Sequence, residues 1–354
     1  MAKAVKRIYS TIEYMNLRSK KTRPRMVFEG KSPEACLPAG KAFRRWQRRF
    51  QNTLLELLGE FPGKSPLRPE ILQREELKDH IREKVVYQAE PTASIPAYVL
   101  IPKDLKPGEK RPGLLALHGH GRGKEDVVGI DHENKEIKKH IRTHNYDYAR
   151  QFVQRGFITI SPDFRCFGER SDGEAPYGRR DKCNVNFIKG SLLGANLLAL
   201  NIWDVMRTID YFSRRAEVDE SRIGCLGLSF GGTMTLYAGA LDERIKVAVV
   251  SCYLTTFETY AIRKGNFCGS QFVPGLMKYG DVADVGRLIA PRPLLIESGR
   301  LDKGFPIAAS RKAYRHLKQA YDILGASKRI AFDQFDGGHQ FSGRKAFDWF
   351  DKWL

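Results

Sequence analysis

Arg222-Ile223-Gly224-Cys225-Leu226-Gly227-Leu228-Ser229-Phe230-Gly231-Gly232 decides how this chain is read. An apolar run leads into Gly227-Leu228-Ser229-Phe230-Gly231, and a helix-like segment, Phe230–Leu241, follows. In a strand–turn–helix context a Gly-x-Ser-x-Gly sequence is a nucleophile elbow. The turn is tight, so the positions beside the serine need residues without a bulky Cβ, which Gly227 and Gly231 supply. Such a turn lifts the serine hydroxyl out of the sheet toward a substrate. On its own the motif also fits a glycine-rich turn with an incidental serine, so the residues downstream carry the decision.

A serine hydroxyl needs an adjacent base to act as a nucleophile at neutral pH. Pro293-Leu294-Leu295-Ile296-Glu297-Ser298 reads as a buried strand, and Asp302 lies beyond Gly299. Arg329–Phe335 reads as another strand, followed by Asp336-Gly337-Gly338-His339. Asp302 and His339 thus fall in loops at carboxyl ends of strands, the edge where open α/β sheets place their sites. Taken alone, Asp302 reads equally as a helix N-cap and His339 as a turn residue. The order serine, acid, histidine, each after a strand, makes Ser229, Asp302 and His339 a triad. Glu297 competes for the acid's place. It lies within the strand, where the pleat fixes its side chain, so Asp302 is preferred. Leu114–Leu117 runs into His118-Gly119-His120-Gly121. The backbone N–H groups of Phe230 and His120 are the expected oxyanion donors.

These segments together resemble the dienelactone-hydrolase-like branch of the α/β-hydrolases, which includes acetyl xylan esterases. The matching residues run from about Pro96 to the C-terminus. They include His118-Gly119-His120-Gly121, Pro162-Asp163-Phe164-Arg165, Trp203-Asp204, the elbow, Ala290-Pro291-Arg292-Pro293 and Gly337-Gly338-His339. The resemblance implies a serine carboxylester hydrolase that forms an acyl-enzyme on a small-molecule or sugar ester. Ser229 stands where true dienelactone hydrolases carry cysteine, which counts against dienelactone as substrate. A thioesterase, lactonase or serine peptidase would use the same triad, though residues 1–79 are too few for a peptidase propeller. A non-catalytic scaffold of the same fold, or a nucleic-acid binder, is the alternative of another class.

The expected fold is α/β: a mostly parallel eight-stranded sheet with helices on both faces and an N-terminal helical extension. Residues 80–354 form the catalytic domain, opening with a hairpin at His80–Glu90 and Ala97–Ile101. Residues 1–79 form a basic extension. Within it, Phe43, Trp46, Phe50, Leu54, Leu57 and Phe61 share one helical face. That face docks on the hydrolase body or, in a homo-oligomer, on a second subunit. The segments 121–145, 169–194 and 255–285 have no clear period and are read as long loops that shape the pocket. Tyr253, Phe267 and Phe272 are candidates for its acyl side.

The 354 residues carry a net charge of +19, with fourteen Lys and Arg against three acids in the first fifty. A patch of this kind can attract nucleic acid or anionic surfaces. No nucleic-acid motif accompanies it, and a solvated basic face is the expectation. No run of about 18 apolar residues suggests a membrane span. The basic N-terminus lacks an apolar core of signal-peptide length, which reads as cytoplasmic. The six cysteines, Cys36, Cys166, Cys183, Cys225, Cys252 and Cys268, include no C-x-x-C pair and are read as reduced. His118 and His120 have no third ligand at metal spacing close by, and His132, His140 and His144 lie in a highly charged segment. Neither a metal nor an organic cofactor is expected.

Overall fold

The computed structural model describes residues 8–28, 38–173, 178, 180–265 and 268–354. Nine strands form one mixed sheet: β1 (Glu70–Glu76), β2 (His80–Glu90), β3 (Ala93–Pro102), β4 (Arg111–Leu117), β5 (Ile158–Pro162), β6 (Val218–Leu228), β7 (Ile245–Ser251), β8 (Leu294–Gly299) and β9 (Ile330–Phe335). Their order is β1-β2-β3-β5-β4-β6-β7-β8-β9. β4 to β9 are parallel, and β3 joins them antiparallel to β5. This is the α/β-hydrolase architecture with one strand more than the eight expected. The addition is β1, an exposed edge strand of sequence EILQREE paired with β2. A strand with almost no buried side chain shows no apolar alternation in its sequence.

Eleven α-helices occur among the described residues: α1 (Thr11–Lys21), α2 (Ala39–Leu58), α3 (Lys124–Val128), α4 (Lys135–His144), α5 (Tyr148–Val153), α6 (Lys182–Leu192), α7 (Leu197–Phe212), α8 (Phe230–Leu241), α9 (Val282–Arg287), α10 (Ile307–Ile323) and α11 (Ala346–Trp353). The central strands are buried on both faces, and successive side chains alternate between two cores. On β4, Leu115 and Leu117 enter the larger core with Ile202, Met234 and Leu317 from α7, α8 and α10. Leu114 and Ala116 enter the smaller one with Phe152 and Phe350 from α5 and α11.

Three of the segments read as loops contain regular structure. α3 and α4 lie in 121–145, α6 lies in 169–194, and α9 ends the stretch after β7. These helices are short, and α4 and α6 bury only one side chain each, so few core positions mark them in the sequence.

The apolar face of α2 is used within the chain. Phe43, Trp46, Phe50, Leu54 and Leu58 are buried, and Trp46 stacks on both Phe43 and Phe50. Gln47 Nε2 donates to the carbonyls of Arg287 and Ala290 at 2.9 and 2.8 Å. Of the two expected docking surfaces, the hydrolase body is therefore the one that covers this face. No single helix among the described residues is long and apolar enough to cross a membrane.

Candidate active site

Ser229 sits between the end of β6 and the start of α8, with φ 61° and ψ −115°. A residue with a Cβ occupies that region only under strain, and such strain gathers at functional sites. The surroundings hold it there. A Cβ on Gly227 would overlap the Gly231 backbone, and one on Gly231 would overlap the Leu117 carbonyl. The Ser229 N–H donates to the Ser251 carbonyl at 2.9 Å, tying the turn to the end of β7.

The loops after β8 and β9 run side by side. Arg300 N–H donates to Phe335 O at 3.0 Å and Leu301 N–H to Gly337 O at 2.9 Å. Gly299 permits this approach, since a Cβ there would meet the carbonyls of Gly337 and Gly338. His339 Nδ1 lies 2.7 Å from Asp302 Oδ2. Asp302 Oδ1 accepts the N–H groups of Gly304 and Phe305 at 2.8 and 3.0 Å. Burial opposes the charge on Asp302. The His339 hydrogen bond and charge and the two backbone donors outweigh it and hold the carboxyl below its ordinary range. The His339 ring stacks on Phe305 with centroids 5.5 Å apart. The carboxylate holds one ring nitrogen, leaving Nε2 as the nitrogen free to face substrate.

Glu297 lies elsewhere. It is fully buried and accepts the N–H groups of Ser342 and Gly343 at 3.3 and 3.2 Å. Burial pushes its carboxyl up to about 7. Glu297 thus anchors the segment that follows His339, while Asp302 bonds to the imidazole itself.

The segment after β4 is held from both sides. His118 is buried, with Nδ1 2.8 Å from Gly119 O and Nε2 accepting the Phe164 N–H at 3.0 Å. Burial lowers its affinity for a second proton. Gly119 N–H donates to Tyr146 Oη at 2.9 Å. A Cβ on Gly119 would lie 2.8 Å from Leu228 O and 3.2 Å from Ser229 Cβ, so only glycine lets this segment pass the serine. His120 follows directly. Phe230 opens α8, where the first N–H groups have no helical carbonyl to bond.

Ser229, Asp302, His339 and His120 line one cavity of about 640 Å³. The rest of its wall is largely polar, with Asp181, Asn184, Gln271 and Lys303 beside Tyr260 and Phe305. Asn184 Oδ1 accepts Gly269 N–H at 2.8 Å, joining α6 to the segment after β7. Of the three aromatic residues expected on the acyl side, the two that are described lie off this cavity. Tyr253 is fully buried behind Phe305, with ring centroids 5.9 Å apart. Phe272 stacks near Phe187 and lines a separate hollow with Met15 and Leu276. Phe267 lies outside the described residues. Tyr260 and Phe305 are the aromatic residues that line it. Sequence offered no signal for Gln271, Asn184 or Asp181, because irregular segments carry no period from which to read a direction.

The sheet order, the strained serine turn and the two strand-end loops define an α/β-hydrolase. The chain belongs to Abhydrolase_7, an Abhydrolase family, whose model matches residues 2–334. A relative from Bacillus subtilis (strain 168) named "Putative hydrolase YtaP" is 29% identical over 322 residues, covering 88% of this chain and 100% of its own. Two solved structures share the fold. The acetyl xylan esterase from Paenibacillus sp. R4 has a TM-score of 0.61 at 19% identity, over 96% of this chain and 99% of its own. The glucuronoyl esterase from Solibacter usitatus has a TM-score of 0.69 at 14% identity, over 94% and 98%.

Proposed function

We propose that this protein is a serine carboxylester hydrolase that acts on a small, hydroxyl-rich ester such as an acylated sugar, through an acyl-enzyme. The observation that carries the reading is the shared cavity. A serine held at positive φ by two glycines opens into the same space as a histidine whose Nδ1 is bonded to a buried carboxylate.

In this reading His339 Nε2 takes the Ser229 proton as Oγ attacks the ester carbonyl. Asp302 keeps the other ring nitrogen protonated and stabilises the imidazolium that forms. The tetrahedral oxyanion accepts hydrogen bonds from the N–H groups of Phe230 and His120, where loss of one donor typically costs about 3 kcal/mol. His339 returns the proton to the departing alcohol. Water then attacks the acyl-enzyme by the same proton path and frees the acid. No step calls on a metal or an organic cofactor. The polar wall formed by Asp181, Asn184, Gln271 and Lys303 supports a substrate bearing hydroxyl groups. The acetyl xylan and glucuronoyl esterases among the structural neighbours act in the same chemical territory.

The test combines a fluorophosphonate label with a panel of acyl esters, thioesters and peptides. Labelling at Ser229 and turnover of short acyl esters are expected. Labelling at another residue would refute the nucleophile, and turnover confined to peptides or thioesters would refute the substrate class.

A further inference from the structure

Folding brings together donors that lie far apart in the chain. His120 Nε2 is 3.1 Å from Cys268 Sγ. The donor atoms of His120, Cys183 and Cys268 all lie within 4.8 Å of one another. Cys183 comes from α6, Cys268 from the segment after β7, and His120 from the loop after β4. Cys183 and Cys268 are both buried thiols, whereas His120 and Cys268 border the Ser229 cavity. We infer that His120, Cys183 and Cys268 form a binding site for a thiophilic divalent cation of the zinc class on the wall of the serine cavity, and that occupancy of this site inhibits the hydrolase.

Two sulfurs and one imidazole nitrogen fill three positions of a tetrahedron, and the cavity side leaves a fourth for water. Metal–sulfur and metal–nitrogen bonds of about 2.3 and 2.0 Å separate such ligands by roughly 3.5 Å, so enclosing an ion takes shifts of about 1 Å or less. Both sulfurs bind metal as thiolates. Binding displaces the two thiol protons to solvent. Ser270 Oγ, 2.8 Å from Cys268 Sγ, supplies an outer partner.

A second group of donors, Cys252, Asp302 and His339, also clusters. It is less suited. Both Asp302 oxygens are already engaged, one by His339 and the other by Gly304 and Phe305.

An ion held between His120 and Cys268 takes space from the cavity and braces the residue whose N–H is the proposed oxyanion donor. The inhibition therefore rests on the hydrolase reading, but the binding does not, and the experiment separates them. The reduced, metal-free full chain is titrated with cobalt(II), followed by competition with zinc. One equivalent should bind with the intense near-ultraviolet thiolate-to-cobalt band. Cys183→Ser and Cys268→Ser should each weaken binding by more than about tenfold, the least that even an outer partner's loss typically costs. His339→Ala should keep the band. Thermal melts of the variants confirm that they fold. No thiolate band, or a band that survives both serine variants or vanishes with His339→Ala, overturns the site. In the activity arm, zinc should inhibit the wild type, and Cys183→Ser, whose side chain lies off the cavity, should resist. Equal inhibition of both would overturn the regulatory claim.

Discussion

Ser229, Asp302 and His339 each stand within four residues of the end of a parallel strand, whereas the opposite wall of the same cavity comes from α6 and the irregular stretch after β7. On the first side, ladder hydrogen bonds and close-packed glycines leave each side chain little choice of position. On the second side, Cys183, Tyr260 and Cys268 pack into the larger core, and polar contacts such as Asn184 with Gly269 and Tyr260 with Gln271 join short segments that lack ladder bonds. The difference suggests a division of labour. Rigid strand ends suit bond making, which tolerates little displacement. A wall on short helices and turns suits the fit to a particular ester, and such segments change without disturbing the sheet.

That division predicts a graded set of effects. Ser229→Ala should lower kcat by about 10,000-fold or more with an unchanged melting temperature. Substantial residual turnover in a folded variant would remove the serine from the chemistry. Asp302→Asn should lower kcat by about a thousandfold with little change in KM, because it corrupts the histidine tautomer and not substrate binding. Steady-state kinetics on the two variants check both statements.

Glu297→Gln should separate the two carboxyls of this strand end by their pH behaviour. Glu297 has a folded value of about 7 against an ordinary value of 4.5. Between those values the folded state holds a proton that the unfolded state has released. Its contribution is therefore fully present below 4.5 and is lost as pH rises through 7. The loss amounts to about 3 kcal/mol, and the glutamine variant should show a correspondingly flatter dependence of stability on pH. Denaturant melts across that range measure it. A large kcat defect with an unaltered stability profile would instead make Glu297 the acid of the triad.

The wall should respond more mildly. Asn184→Ala releases α6 from Gly269 and should raise KM by about tenfold while changing kcat less. A kcat loss as large as that of Asp302→Asn would break the proposed division. The smallest effect is expected from dialysis against EDTA, which should leave ester hydrolysis intact. Loss of activity that zinc restores would mean that a metal takes part in catalysis.

The strand-end half of the cavity was legible in the sequence, and the wall was not. Buried parallel strands announce themselves as short apolar runs, so the loops after them could be found and their polar residues picked out. Asp302 was separable from Glu297 because one lies inside such a run and the other beyond it. β1 was missed because it is an edge strand with polar side chains on both faces. That Tyr253 lies off the cavity was not legible, because an aromatic residue two positions past a strand reads the same whether it turns inward or outward. Cys183 and Cys268 gave no sign of a common site, since their separation of 85 positions conforms to no local ligand spacing.

By itself the sequence determined the α/β-hydrolase class, the elbow at Ser229 and the strand-end loops bearing Asp302 and His339. Those features depend on local periodicity, glycine placement and chain order, which a linear string records. Only the tertiary structure decided that Glu297 anchors the segment after His339, that α2 is covered by its own chain, and that His120 faces two distant thiols. Each of those depends on which segments pack together after the sheet has formed, and packing between irregular segments leaves no period in the sequence.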